Sequence, residues 1–194
     1  KIGNLIDSAI VFQSDNQSIF NANDNTPSNY NSKELKSLFG TFDLAMLNYN
    51  SAGPYPSCFS NLTEEEKYLE HKNNLMRNID FLHSNLEILM PKYFLPFAGA
   101  YVLGGKNNHK NKYLGTTTWD NCIKMLKNKE KIKNTRYVAL REQDIFDLDT
   151  GTSNKKYIPI DNNKVENYIT NVLSKIKYPY EQDSIPNIEK IIQD

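Results

Sequence analysis

Apolar and polar positions in this chain form short runs separated by turn residues, with two stretches at helical spacing. Residues 8–13 and 17–21 flank Ser14-Asp15-Asn16, which predicts an antiparallel hairpin. The apolar run that begins at Phe42 and the run from Tyr93 to Gly99 predict two further strands, and residues 136–140 predict another. Residues 145–149 predict an edge strand before a turn at residues 150–152.

Four helices are predicted between or after these strands. Residues 32–39 form a short helix that Gly40 closes as a left-handed cap. The spacing of Thr63 and Glu66 is that of a capping box, and it begins the longest helix. The apolar face of that helix comprises Tyr68, Leu75, Met76, Ile79, Leu82 and Leu86. Thr118 caps a third helix, and residues 164–175 form the last one.

Three of the predicted strands end in polar or glycine-bearing segments. The second strand of the hairpin ends in Asn23-Asp24-Asn25. The strand that begins at Phe42 ends in the proline-fixed loop of residues 50–56, and the strand that begins at Tyr93 ends in Ala98-Gly99. We expect these ends to converge on one edge of a sheet, where a site can form. Ser51, Tyr55 and Tyr101 can line a substrate pocket there, or the tyrosines can be buried structural side chains. The Gly99 backbone can approach a ligand, or it can form a tight turn.

The amino-acid composition limits the classes of partner that the protein can attract. The 194 residues carry 23 basic and 23 acidic side chains, so no whole-molecule field attracts nucleic acid or an anionic membrane. The basic run from Lys124 to Lys133 is interpreted as the solvated end of a helix. No run reaches the roughly 20 apolar residues of a membrane helix. Cys58 and Cys122 are too few for a disulfide framework, which favours a reducing, cytoplasmic setting.

In the order and spacing of these segments, residues 5–140 resemble the C-terminal half of the metallo-β-lactamase fold. Asn23-Asp24-Asn25 matches the aspartate motif of that fold, residues 43–49 match its next strand, and residues 93–99 match its last strand. The resemblance implies an α/β (α+β) fold, a partial αββα sandwich. Residues 1–160 would be the C-terminal part of such a domain, and residues 161–194 a helical extension.

The chain is more closely similar to the sugar-nucleotide hydroxylase branch of that superfamily, which includes the CMP-N-acetylneuraminate and UDP-N-acetylmuramate hydroxylases. The matching segments are residues 50–56, Glu64-Glu65-Glu66-Lys67 and Pro96-Phe97-Ala98-Gly99. The similarity implies a metal-dependent hydrolase or oxygenase that acts on a sugar nucleotide or another small phosphorylated substrate. It also implies zinc or iron as the cofactor, with Asp24 as a ligand; from its residue type alone, Asp24 can instead cap the following turn.

The chain departs from the family at two points. The His-x-His-x-Asp-His motif is absent, and His71, His83 and His109 lie outside the expected ligand positions. We expect the motif in a missing N-terminal half that precedes Lys1, and the isolated chain to be inactive. Ala98-Gly99 stands where many members have their last histidine, and the paired ligands of a Rieske cluster are also missing. The alternatives are a degenerate, non-catalytic binding or scaffold domain of the same fold, and an unrelated α/β domain.

Overall fold

The computed structural model describes residues 8–129, 132 and 134–181. They contain both helices and a mixed sheet, so the predicted α/β class is confirmed. The chain divides into two compact units, which are described separately below. Unit 1 comprises Lys1–Tyr101 with Tyr113–Ile160, and unit 2 comprises Val102–Lys112 with Asp161–Asp194.

Unit 1 is built on a five-stranded sheet whose spatial order is its chain order. The predicted hairpin is confirmed, because the first two strands pair in antiparallel fashion, and each later strand pairs in parallel with the one before it. The last strand is shorter than predicted and ends at Tyr137, although the Val138 amide still donates to the Phe94 carbonyl. The strands are β1 (Ile10–Gln13), β2 (Ser18–Asn21), β3 (Leu44–Asn48), β4 (Tyr93–Phe97) and β5 (Arg136–Tyr137).

Three helices connect the parallel strands and cover one face of this sheet. They are α1 (Asn29–Phe39), α2 (Glu64–Leu89) and α3 (Trp119–Lys127). Right-handed crossovers between strands in sequential order bring successive helices to the same side. Alternate strand residues point to that side and form the core with the helices. The core includes Phe20, Ala45, Leu47 and Phe94 from the strands, and Leu35, Ile79, Leu82, Leu86, Cys122 and Leu126 from the helices.

The opposite face of the sheet is apolar but only partly covered. Phe12 is 56% exposed and Ile10 is 47% exposed, and the side chains next to them are half-buried. These half-buried residues are Ile19, Leu44, Met46, Leu95 and Phe97. We call this set of seven side chains the open face.

A small hairpin covers Tyr93 at one end of this face. It consists of β6 (Phe146–Asp147) and β7 (Thr152–Ser153), and the Phe146 ring meets the Tyr93 ring edge-on at 5.0 Å. The predicted strand before the turn at residues 150–152 is confirmed for Phe146–Asp147, and it pairs with β7 in a separate two-stranded sheet. Gly151, with φ of +66°, allows the turn and leaves room for the Tyr93 hydroxyl.

The helix ends follow most of the predicted caps. Ser28 caps α1, so α1 begins three residues before the predicted start, and Gly40 has a φ of 76° but a ψ of −147°, outside the left-handed helical region. Thr118 caps α3 as predicted. The capping box of α2 is confirmed, since the Thr63 hydroxyl accepts from the Glu66 amide and the Glu66 carboxylate accepts from the Thr63 amide.

The predicted apolar face of α2 is only partly correct. Ile79, Leu82 and Leu86 are buried, and Leu75 packs against the core. Tyr68 is 52% exposed and Met76 is 45% exposed, so both lie outside the core. Helical spacing therefore identified apolar positions along α2 without showing how much of this long helix the sheet covers.

Unit 2 contains most of the 3-10 helix Gly105–Tyr113, the helix α4 (Asn162–Asn171), and short 3-10 helices at Leu173–Lys175 and Pro179–Glu181. The polar segment around His109 is thus helical. Asp161 caps α4, which ends four residues before the predicted boundary. Residues 182–194 of the predicted helical extension lie outside the described residues. Across the described ranges of both units, no helix is long and apolar enough to cross a membrane.

We predict that Thr63→Ala destabilises unit 1. The substitution removes the acceptor for the Glu66 amide, and loss of such a cap costs about 0.5–2 kcal/mol. Urea unfolding followed by circular dichroism measures the change in the free energy of unfolding. Thr170→Ala, at an exposed position of α4, is the matched control, and equal unfolding of Thr63→Ala and wild type would contradict the prediction.

Candidate functional site

The carboxyl ends of three parallel strands lie at one edge of the sheet. Asn21 at the end of β2 is opposite Met46, and Asn48 at the end of β3 is opposite Phe97. The segments that follow β2, β3 and β4 therefore leave the sheet side by side. Ligands of open α/β sheets bind in the crevice outside the carboxyl ends of the strands, so this edge is the candidate site.

Asp24 lies in the tight turn that follows β2, and its side chain is exposed. The Asn21 side chain accepts a hydrogen bond from the Asn23 amide at 2.8 Å, and the Asn25 amide donates to the Ala22 carbonyl at 2.9 Å. Asn23 has a φ of 51°, which asparagine tolerates better than most residues. Asn21 thus supplies the side-chain oxygen that closes this turn.

Asn50 is a structural residue of the site that the sequence analysis did not single out. Its side-chain amide donates to the Thr117 carbonyl at 2.8 Å, and its oxygen accepts from the Thr117 amide at 2.8 Å. This pair of bonds fixes the segment before α3 against the end of β3. Its only signal in the sequence is a polar side chain two residues after the end of β3.

Ser51 and Tyr101 lie in the loops that follow β3 and β4, and a hydrogen bond joins these loops. The Tyr101 hydroxyl donates to the Gly53 carbonyl at 3.2 Å, and burial raises the pKa of Tyr101. The Ser51 hydroxyl is exposed and accepts from the Asn78 side chain at 3.3 Å. Tyr101 is therefore bonded to the loop that carries Ser51, whereas the Ser51 side chain itself contacts α2.

Tyr55 bonds to α2 through both its side chain and its backbone. Its hydroxyl donates to the Glu70 carboxylate at 2.8 Å, which raises the pKa of Tyr55 and lowers the pKa of Glu70. Asn74 donates to the Tyr55 carbonyl at 3.3 Å, and the Tyr55–Pro56 peptide is cis. These contacts hold the loop on α2.

Gly99 is exposed at the end of β4, and a Cβ atom built there would meet no atom within 4 Å. The positive φ at this strand end belongs to Ala98, at 56°, an uncommon value for alanine. No residue pattern around Ala98 predicts that conformation. The surroundings of Gly99 therefore leave open space at the edge of the sheet.

Tyr49 lies beneath the site, and its hydroxyl is buried without a hydrogen bond of ordinary geometry. The side chain is 1% exposed, and burial, followed by the proximity of Cys122, raises the pKa of Tyr49 to about 12. The nearby Ala100 backbone offsets part of that rise. Tyr49 therefore stays a neutral phenol at physiological pH.

The histidines and cysteines lie in several different places. His71 and His83 are half-buried on α2, where His71 contacts the Leu114 carbonyl at 3.3 Å and His83 lies 3.5 Å from Glu87. Cys58 is exposed, whereas burial raises the pKa of the Cys122 thiol to about 12. Among the residues that the structure describes, no three His, Cys, Asp or Glu side chains gather closely enough to hold a metal ion.

Comparison with known proteins returns no family model, no curated protein and no solved structure that matches this chain. The relationship to the metallo-β-lactamase superfamily thus stays a prediction from short motifs.

We predict that the protein loses stability as the pH rises above about 9 to 10. Tyr49 and Cys122 have higher pKa values in the folded chain than their ordinary values of 10.0 and 9.0, so the unfolded chain ionises first. The stabilising contribution of the neutral groups is complete below these ordinary values and disappears as the pH rises toward 12. Urea unfolding between pH 7 and 10.5 measures the slope.

The variant Tyr49→Phe isolates the tyrosine contribution. It removes the ionisable hydroxyl while keeping the ring, so we expect a shallower loss of stability at alkaline pH. Tyr30→Phe is the control, because Tyr30 is exposed on α1. An unchanged slope in Tyr49→Phe would show that Tyr49 does not remain neutral in the folded chain.

Proposed function

We propose that this chain is the C-terminal half of a metallo-β-lactamase-type domain. Its parent would be a metal-dependent enzyme that acts on a sugar nucleotide or another small phosphorylated molecule. The proposal rests on the edge of the sheet that the carboxyl ends of β2, β3 and β4 share. Asp24 follows β2 there with its carboxylate exposed, beside the loops that carry Ser51 and Gly99 after the two neighbouring strands.

The open face supports the proposal that this chain is one half of a domain. Parallel sheets occur almost always with both faces covered, because their strands are apolar on both sides. Here the helices cover one face, while Met46, Leu95 and Phe97 on the other remain partly exposed. A second sheet packed on the open face would bury these side chains and place its own residues near the same edge.

The residues of this chain fit one part of a metal site. Asp24 supplies an oxygen of the kind that zinc and iron accept, and the remaining ligands would come from the other half of the domain. When bound, the ion would activate water for hydrolysis, or dioxygen with an external electron donor for hydroxylation.

The loops of this chain would bind and orient the substrate. The exposed Ser51 hydroxyl can donate to a sugar or phosphate oxygen, and the space beside Gly99 admits a ligand close to the backbone. Tyr101 holds the two loops together, and Tyr55 fixes the first loop on α2. We assign Tyr55 a positioning role. Both cysteines are free, which suits a cytoplasmic protein.

The second candidate is a non-catalytic binding or scaffold domain of the same fold. Ala98-Gly99 favours it, because many members of the superfamily have their last histidine at this strand end. A domain that has lost its ligands would keep the fold and retain no metal.

We predict that Asp24→Asn lowers the metal content of the complete polypeptide that contains this chain. The exposed carboxylate is not part of the core, so the melting temperature of the apoprotein should change little. Elemental mass spectrometry gives zinc and iron per chain after purification without added metal. Asp15→Asn, at an exposed carboxylate in the hairpin turn, is the matched control.

Three results are informative. Near-stoichiometric metal in the complete wild-type protein that falls in Asp24→Asn but not in Asp15→Asn supports the proposal. Equal metal in all three proteins removes Asp24 from the site. Absence of metal from the wild-type protein favours the non-catalytic domain.

A further inference from the structure

A cavity lies in unit 1 beside α3 and the carboxyl end of β5. It has a volume of about 530 Å³ and lies between α3, the start of the segment after β5, and residues 157–159. Cavities that bind small molecules range from about 300 to 1,000 Å³, so its size suits a small organic ligand. Its charged and aromatic lining indicates the class of that ligand.

The charge of the lining is predominantly positive. Lys124 and Lys127 stand three positions apart on α3 and so share one side of the helix. Asp120 is the one carboxylate among the described residues of the lining, and protein groups contact both of its oxygens. One oxygen accepts from the Tyr157 hydroxyl at 2.7 Å, and the other accepts from the Ile160 amide at 2.8 Å. The ammonium groups therefore dominate the field in the cavity, which favours an anion.

Two aromatic rings line the same cavity, and both are held in position. Tyr157 donates to Asp120, and its hydroxyl accepts a hydrogen bond from the Trp119 indole. The Tyr137 ring meets the Phe94 ring edge-on at 6.2 Å. Burial raises the pKa of Tyr137, and burial together with Asp120 raises that of Tyr157 to about 12, so both stay uncharged near neutral pH. Fixed neutral rings suit stacking with a flat heterocycle.

We propose that this cavity binds a nucleoside diphosphate, with the base against the tyrosine rings and the phosphates against Lys124 and Lys127. Ammonium groups form charge-assisted hydrogen bonds with phosphate oxygens, and aromatic side chains stack on any base. A nucleic acid strand suits the protein less well, because the net charge of the chain is zero. The inference does not depend on Asp24 or on a metal ion.

Isothermal titration calorimetry of the full 194-residue chain tests this site. The probes are ADP, GDP, CDP and UDP, with each matching nucleoside, inorganic pyrophosphate and a ten-nucleotide DNA strand for comparison. We expect at least one nucleoside diphosphate to bind more tightly than its nucleoside, than pyrophosphate and than the DNA strand. That order would show that the cavity uses both the base and the phosphates.

Two variants locate the binding. Replacing both lysines, as Lys124→Gln with Lys127→Gln, should weaken diphosphate binding about three- to tenfold, the effect of losing two exposed charge pairs, while binding of the nucleoside stays the same. Lys33→Gln, at an exposed lysine of α1, is the matched control and should bind like wild type. Tyr137→Leu should weaken nucleoside and diphosphate alike, and circular dichroism verifies that each variant is folded.

Several results would overturn the proposal. One is the absence of nucleotide binding at millimolar concentration. Another is pyrophosphate binding as tightly as the diphosphates, which would indicate a simple anion patch, and a third is tighter binding of the DNA strand. Equal weakening by Lys33→Gln would indicate a general charge effect. None of these results bears on metal retention by Asp24, so the two proposals fail separately.

Discussion

The structure of unit 1 depends on one constraint, the right-handed crossover between parallel strands. β2 to β5 are parallel and adjacent in chain order, so each connecting helix returns on the same side of the sheet. This puts all three connecting helices on one face and leaves the other without them. It also brings the carboxyl ends of the strands to one edge, where Asp24 and the loops after β3 and β4 emerge together.

Polar contacts then fix the loops at that edge. Asn50 joins the end of β3 to the segment before α3, and Tyr101 joins the loops after β3 and β4. These contacts leave Ser51 and Gly99 exposed, while the Tyr55 hydroxyl is engaged by α2. The site therefore combines fixed loops with open space, which suits binding of a small molecule. The nucleotide cavity beside α3 is a separate feature whose chemistry comes from lysine and tyrosine.

The features predicted correctly from the sequence are those set by local chemistry. The turn residues after Gln13 gave the hairpin, and the Thr63 and Thr118 caps gave the starts of α2 and α3. The features that were wrong or were not predicted concern long-range packing. The exposure of Tyr68 depends on how far α2 extends past the core, and the separate β6–β7 hairpin depends on the Tyr93 ring that it covers. At the site, the strand ends were predictable, whereas the contact of Tyr55 with Glu70 was not.

We infer that another layer of protein covers the open face. Hydroxyl-radical oxidation of methionine, read by mass spectrometry, tests it most directly. Met46 lies on that face, whereas Met76 is exposed on α2 and serves as the internal control. We expect Met46 to be oxidised in the isolated chain and protected in the complete polypeptide, while Met76 is oxidised in both. Equal oxidation of Met46 in the two proteins would show that no such layer covers the open face.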